Sequence, residues 1–253
     1  MPHVAHSLEP AVAGTVADTT RAKAPTLALP AHELAQLARG LAYSFWGLLA
    51  LWAAGLEIVL GSAGWLAGGL GLWGAAGVLA GAWALTQAPA VGPAWRRHTG
   101  SLLVLGVLIA YLSPFAWMWR QASDSAYLLG QALAWWWAAL AYLVVLNACL
   151  RALARAGGDQ GLVWQTTGVG GAMYLLLVGP YTVVVLALAE TARRHGDVLG
   201  VAQFLLLQLS PVALFALLTP LALTLSLVWS VKDWAFQRLT TPGAPSIVDD
   251  TKS

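Results

Sequence analysis

The sequence predicts an all-α integral membrane protein, a bundle of about six transmembrane helices with both termini cytoplasmic and a disordered N-terminal tail. Three observations lead there. Hydrophobic residues fill 59% of the 253 positions and charged residues only 9%, with a mean hydropathy of +0.71. A water-soluble chain needs far more charge to solvate its surface. The apolar residues are also gathered into long runs that hold a single charged residue among them, and the Lys and Arg residues fall between those runs. Each run reaches the roughly 20 residues that a helix rising 1.5 Å per residue needs to cross about 30 Å of hydrocarbon.

Three regions follow from this pattern. Residues 1–30 are rich in Ala, Thr and Pro without apolar periodicity, and such a segment cannot bury enough surface to offset its ordering entropy, so it reads as a disordered tail. Residues 31–232 form the six-span helical domain, and residues 233–253 a cytoplasmic C-terminal tail. Leu34, Leu37 and Leu41 recur at helical spacing beside His32, Glu33, Gln36 and Arg39, which predicts a short interfacial helix leading into the first span. The spans are Leu41 to Leu60, Trp65 to Thr86, Ser101 to Trp119, Ala126 to Cys149, Trp164 to Ala189 and Gly200 to Ser230. The first apolar run begins only after about 40 residues that include charged ones, so it reads as a retained span and not a signal peptide. Cleavage after the small residues Gly61-Ser62-Ala63 is the alternative.

Orientation comes from the loops, because Lys and Arg beside span ends are held back during insertion. An inside N-terminus puts Arg21, Lys23, Arg39, Arg96, Arg97, Arg151, Arg155, Lys232, Arg238 and Lys252 on the cytoplasmic side, against Arg120, Arg193 and Arg194 outside. In the second span Trp65 and Trp83 lie about 27 Å apart on one helix face, as aromatics at the two interfaces would. Gly179-Pro180 in the fifth span and Pro211 and Pro220 in the sixth predict kinks or breaks. Leu112-Ser113-Pro114-Phe115-Ala116 is echoed by Leu209-Ser210-Pro211-Val212-Ala213, but late in one span and early in the other, which an inverted transporter repeat would not produce.

Glu57 is the one formally charged side chain inside a predicted span. It shares a face with Gly47, Ala50, Ala54 and Gly61, so it points at a neighbouring helix near the outer end of its span. Arg120, Arg193 and Arg194 are its natural partners, and a structural ion pair is the reading preferred over a proton or cation site. Gln203, Gln208 and Ser210 in the sixth span complete a candidate intramembrane polar site with Glu57. They would either re-satisfy carbonyls freed by proline or line a polar path.

The second span is rich in glycine, with GxxxG spacings from Gly64 to Gly68 and from Gly77 to Gly81. These positions are candidate helix-packing residues, because glycine lets backbones approach closely where lipid offers no hydrophobic drive. Trp135-Trp136-Trp137 lies mid-span and fans over about 200° of helix. Its rings either fill gaps left by the glycine-rich second span, which is preferred, or offer a stacking surface to a flat lipophile.

The sequence points to no cofactor or metal. His3, His6, His32, His98 and His195 lie in tails or loops, and there is no CxxCH, HExxH, GxSxG or GxxxxGK[ST] pattern. His195 with Arg193, Arg194 and Asp197 reads as a solvated loop before an anion site. Cys149, the only cysteine, reads as a small apolar residue at a helix end in preference to an acylation site. A net charge of +2 without a basic stripe argues against nucleic acid. The expected partners are the lipid bilayer and either other membrane subunits or copies of the chain itself, and the expected location is a bacterial cytoplasmic membrane. A non-catalytic subunit or packing component is the first functional reading, a small-molecule or ion transporter using the kinked spans five and six is the alternative, and an enzyme comes third.

Overall fold

The computed structural model describes residues 29–61, 64–173, 181–182, 186, 190, 198–208 and 211–240. Among them every regular element is helical: α1 (Ala31–Leu60), α2 (Gly64–Thr86), a 3-10 turn (Pro89–Val91), α3 (Pro93–Gln121), α4 (Ala126–Gly157), α5 (Gln160–Met173), α6 (Val198–Gln208) and α7 (Pro211–Thr240). Four described helices are long and apolar enough to cross a membrane: α1, α2 from Gly68, α3 and α4.

Several helices run past the apolar segments that mark them. A helix closes its hydrogen bonds along its own backbone, so nothing requires it to stop where hydrophobicity stops. The predicted interfacial helix is the first part of α1, without a break. Leu34, Leu37 and Leu41 are buried within the protein, so this stripe packs on the bundle. Glu33, on the predicted polar face, is also buried and accepts a hydrogen bond at 3.2 Å from Ala90 N–H in the 3-10 turn. At the other end of the chain, α7 continues to Thr240, past the boundary at 232. The tails, apart from Leu29 and Pro30 and the part taken up by α7, lie outside the described residues, as do Gly179-Pro180 and the loop carrying Arg193, Arg194 and His195.

Short turns make α1 to α4 an up-and-down series. Gly40 lies against Leu85, Gly47 against Val78, and Gly71 against Ala54, so α1 and α2 are antiparallel. Gly106 meets Leu79 and Gly68 meets Trp117, which makes α3 antiparallel to α2. Helix α7 lies parallel to α4, since Asn147 bonds Thr224 and Gly157 packs on Trp234. The start of α1 and the end of α7 therefore share one end of the bundle, where Arg238 donates to the Gly157 carbonyl that closes α4. The core is centred on α4, whose most apolar window is 56% buried against 33% for α3.

Two of the described helices carry proline inside them, Pro114 in α3 and Pro220 in α7. Ser113, beside Pro114, donates to the Ile109 carbonyl at 2.7 Å, and Thr224, one turn after Pro220, donates to the Pro220 carbonyl at 2.8 Å. Pro211 occupies the first position of α7, where a missing N–H costs no intrahelical bond.

Candidate functional site

Glu57 sits one turn before the end of α1. The chain leaves that helix through Gly61, whose φ of 82° is the left-handed conformation that favours glycine. Arg120, in the last turn of α3, reaches this terminus. Its Nη2 donates to the Gly61 carbonyl at 2.6 Å and its Nη1 to the Glu57 carbonyl at 3.5 Å, while Nη1 and Glu57 Oε1 are 3.9 Å apart. The guanidinium thus acts first as a cap on the carbonyls at the negative end of α1, and secondly as a partner to the carboxylate. The pair is partly buried, with 20% of the Arg120 and 16% of the Glu57 side chain exposed.

Gln203 joins this terminus from α6: its Nε2 is 3.5 Å from the position a Cβ on Gly61 would take. Gln208 is exposed and, five residues on, projects about 140° around the helix from Gln203. Ser210, Arg193 and Arg194 lie outside the described residues. The described part of the candidate polar site is therefore a helix-end cluster of Glu57, Arg120, Gly61 and Gln203, with Gln208 on another side of α6.

Among the candidate packing glycines, Gly77 and Gly81 meet α1 of the same chain. A Cβ on Gly77 would stand 2.7 Å from Gly47 Cα, and one on Gly81 would stand 2.8 Å from Ser44 N. Backbone faces backbone at this crossing, and Gly40, Gly47 and Gly74 contribute from both helices. Gly68 has a different role, since its missing side chain leaves room for the Trp117 ring of α3 at 3.4 Å. Gly64 opens α2, and its surroundings lie outside the described residues.

The tryptophan triplet divides its rings between different neighbours. Trp135 is buried and donates to Ser113 Oγ at 3.0 Å. Trp136 stacks edge-on against Trp52 at 5.7 Å between centroids and fills the space left by Gly55. Trp137 faces outward. The gap that Trp136 fills thus belongs to α1 and not to the glycine-rich α2, whose own notch at Gly68 takes Trp117.

Sequence reasoning missed Tyr142, which lies buried against the α1–α2 crossing. Its hydroxyl donates to the Val78 carbonyl at 3.0 Å and lies 3.3 Å from Ser44 Oγ. A phenol has one proton to give, so Ser44 must donate to Tyr142. Tyrosine in an apolar run offers little signal beyond a polar tip that needs a partner. Further along α4, Asn147 Nδ2 donates to Thr224 Oγ1 of α7 at 3.0 Å. Trp135, Tyr142 and Asn147 thus tie α4 to α3, to both α1 and α2, and to α7.

No group of three or more His, Cys, Asp or Glu residues placed to hold a metal occurs among the described residues. Compared with known proteins, the chain matches no family model, no curated protein and no solved structure.

Proposed function

We propose that this chain is an integral membrane protein of about six spans whose role is non-catalytic, as a subunit or packing component of a membrane assembly. One observation carries the proposal: four polar side chains inside the bundle tie helix to helix. Tyr142, Trp135 and Asn147 bridge from α4, and Arg120 caps α1 from α3. The outward faces are apolar. On α3 Val104, Val107, Leu108 and Tyr111 recur at helical spacing and are all exposed, a surface suited to lipid or to a partner helix.

The four long apolar helices support the membrane placement. The fifth and sixth spans extend the same pattern, and α7 lying parallel to α4 is the arrangement that one intervening return crossing produces. The bundle end with Arg39, Arg96, Arg97, Arg151, Arg155, Lys232 and Arg238 is the cytoplasmic one in this reading under the positive-inside rule, and the membrane proposed for it is a bacterial cytoplasmic membrane.

The test is the mass of the complex extracted in native lipid, with any co-purifying chain identified from the same sample. A complex heavier than a homo-oligomer, with reproducible partners, is expected. A lone monomer or small homo-oligomer would overturn the subunit role and put transport first. Transport through spans five and six then predicts that cysteines replacing Gln203, Gln208 and Ser210 react with a polar thiol reagent.

A further inference from the structure

The start of α3, the last turns of α4 and the wall of α5 line a partly open cavity of about 220 Å³, room for about seven waters at ~30 Å³ each. Its polar lining is His98, Asn147, Arg151 and Arg155, Gly170 closes one side, and no carboxylate is among the lining residues. Arg151 passes over Gly170, whose missing side chain leaves space for the guanidinium. Two buried polar atoms in this wall have no hydrogen-bond partner among the described residues, the donor Arg151 Nε and the acceptor Asn147 Oδ1. Asn147 is only 5% exposed, and its amide nitrogen is already committed to the Leu143 carbonyl and to Thr224.

Two arginines and a histidine lining one cavity without a carboxylate define the complementary ligand. It carries an anionic acceptor group. Depth narrows the choice further. Helix α4 has 32 residues and rises about 48 Å, so it overhangs about 30 Å of hydrocarbon by roughly 9 Å at each end. Arg151 is six residues, or about 9 Å, from Gly157 at the end of α4. Its guanidinium therefore lies where hydrocarbon gives way to headgroups.

We propose that this cavity binds the headgroup of an anionic phospholipid. Phosphodiester oxygens accept from Arg151 and Arg155. The proposal rests on the membrane placement given above and is independent of any partner subunit.

The full-length protein, recovered from alkali-washed membranes in detergent and stripped of lipid, is titrated with phosphatidylglycerol or phosphatidylcholine while bound lipid is counted by native mass spectrometry. One phosphatidylglycerol is expected to bind at concentrations where phosphatidylcholine does not. Arg155 is exposed, so Arg155→Gln keeps the fold and weakens binding about fivefold. Gly170→Leu takes the space over which the Arg151 guanidinium lies, without altering net charge, and should abolish selective binding, with helicity and melting recorded to show that the variant is folded. Equal binding of the two lipids, or unchanged phosphatidylglycerol affinity in both variants, would overturn the site. Arginine-dependent binding of inorganic phosphate with no lipid selectivity would overturn the lipid assignment. Absence of the chain from washed membranes would remove the placement itself, a failure distinct from loss of lipid selectivity in a membrane-extracted protein.

Discussion

Arg120 holds the end of α1 more tightly through the main chain than through Glu57, because its bond to the Gly61 carbonyl is 2.6 Å and its approach to the carboxylate 3.9 Å. A charge-assisted bond to a partly buried carbonyl outweighs a long, partly solvated ion pair. Arg120→Gln is therefore expected to cost about 1–2 kcal/mol, and Glu57→Gln less than that, measured by thermal melting in detergent. A larger loss for Glu57→Gln would return the carboxylate to the centre of the site. Tyr142 gives a second comparison, since its hydroxyl bridges Ser44 of α1 and Val78 of α2. Tyr142→Phe should cost about 1 kcal/mol. A double-mutant cycle with Ser44→Ala should show coupling of roughly 0.6 kcal/mol, the usual size for such a bond between membrane helices. Zero coupling would mean that the two hydroxyls do not bond.

At the level of elements, the glycines of α2 are not equivalent, although their spacing in sequence makes them look so. Around Gly77 backbone meets backbone, whereas a Cβ on Gly69 would meet nothing within 4 Å. Gly77→Ala must push two helices apart and should cost about 1–3 kcal/mol. Gly69→Ala should be neutral or stabilising by up to ~1 kcal/mol, because alanine is the better helix former. Equal effects would show that the α1–α2 crossing is not where the structure puts it. The same contrast explains what was legible in the sequence. Long apolar runs and glycine spacings reveal helices and a close-packed face, since both are local properties of the chain. Which helix fills which gap depends on rotation about each axis, so the sequence could not show that Trp136 enters the notch at Gly55 or that Trp117 covers Gly68. The buried Glu33 was equally hidden, because its partner is a backbone N–H in a turn that lies next to α1 only once the chain is folded. The cavity beside Arg151 likewise joins residues of α3, α4 and α5, and no local pattern announces it.

For the whole molecule, the deciding asymmetry is between its two ends. Arg39, Arg96, Arg97, Arg151, Arg155 and Arg238 belong to the end where α1 starts and α7 finishes, and Arg120 stands at the other. If that end is held in the cytoplasm by its cations, the turn between α2 and α3 and the turn between α3 and α4 must lie on opposite sides of the membrane. The protein's own chemistry makes this measurable, because the one native cysteine, Cys149, is fully buried and should stay silent toward a membrane-impermeant maleimide. With Arg97→Cys and Ala122→Cys made separately, intact cells should label position 122 alone, and permeabilised cells both. Since Arg97 is itself one of the orienting cations, a second cysteine in place of Pro89 repeats the first arm without changing charge. Labelling of positions 89 and 97 in intact cells, with 122 protected, would invert the topology. The basic cavity would then face outward, and the asymmetry of charge would need a cause other than insertion. Labelling of all three in intact cells would mean that α3 does not cross the bilayer, in which case its exposed apolar stripe from Val104 to Tyr111 would have to be covered by another protein and not by lipid.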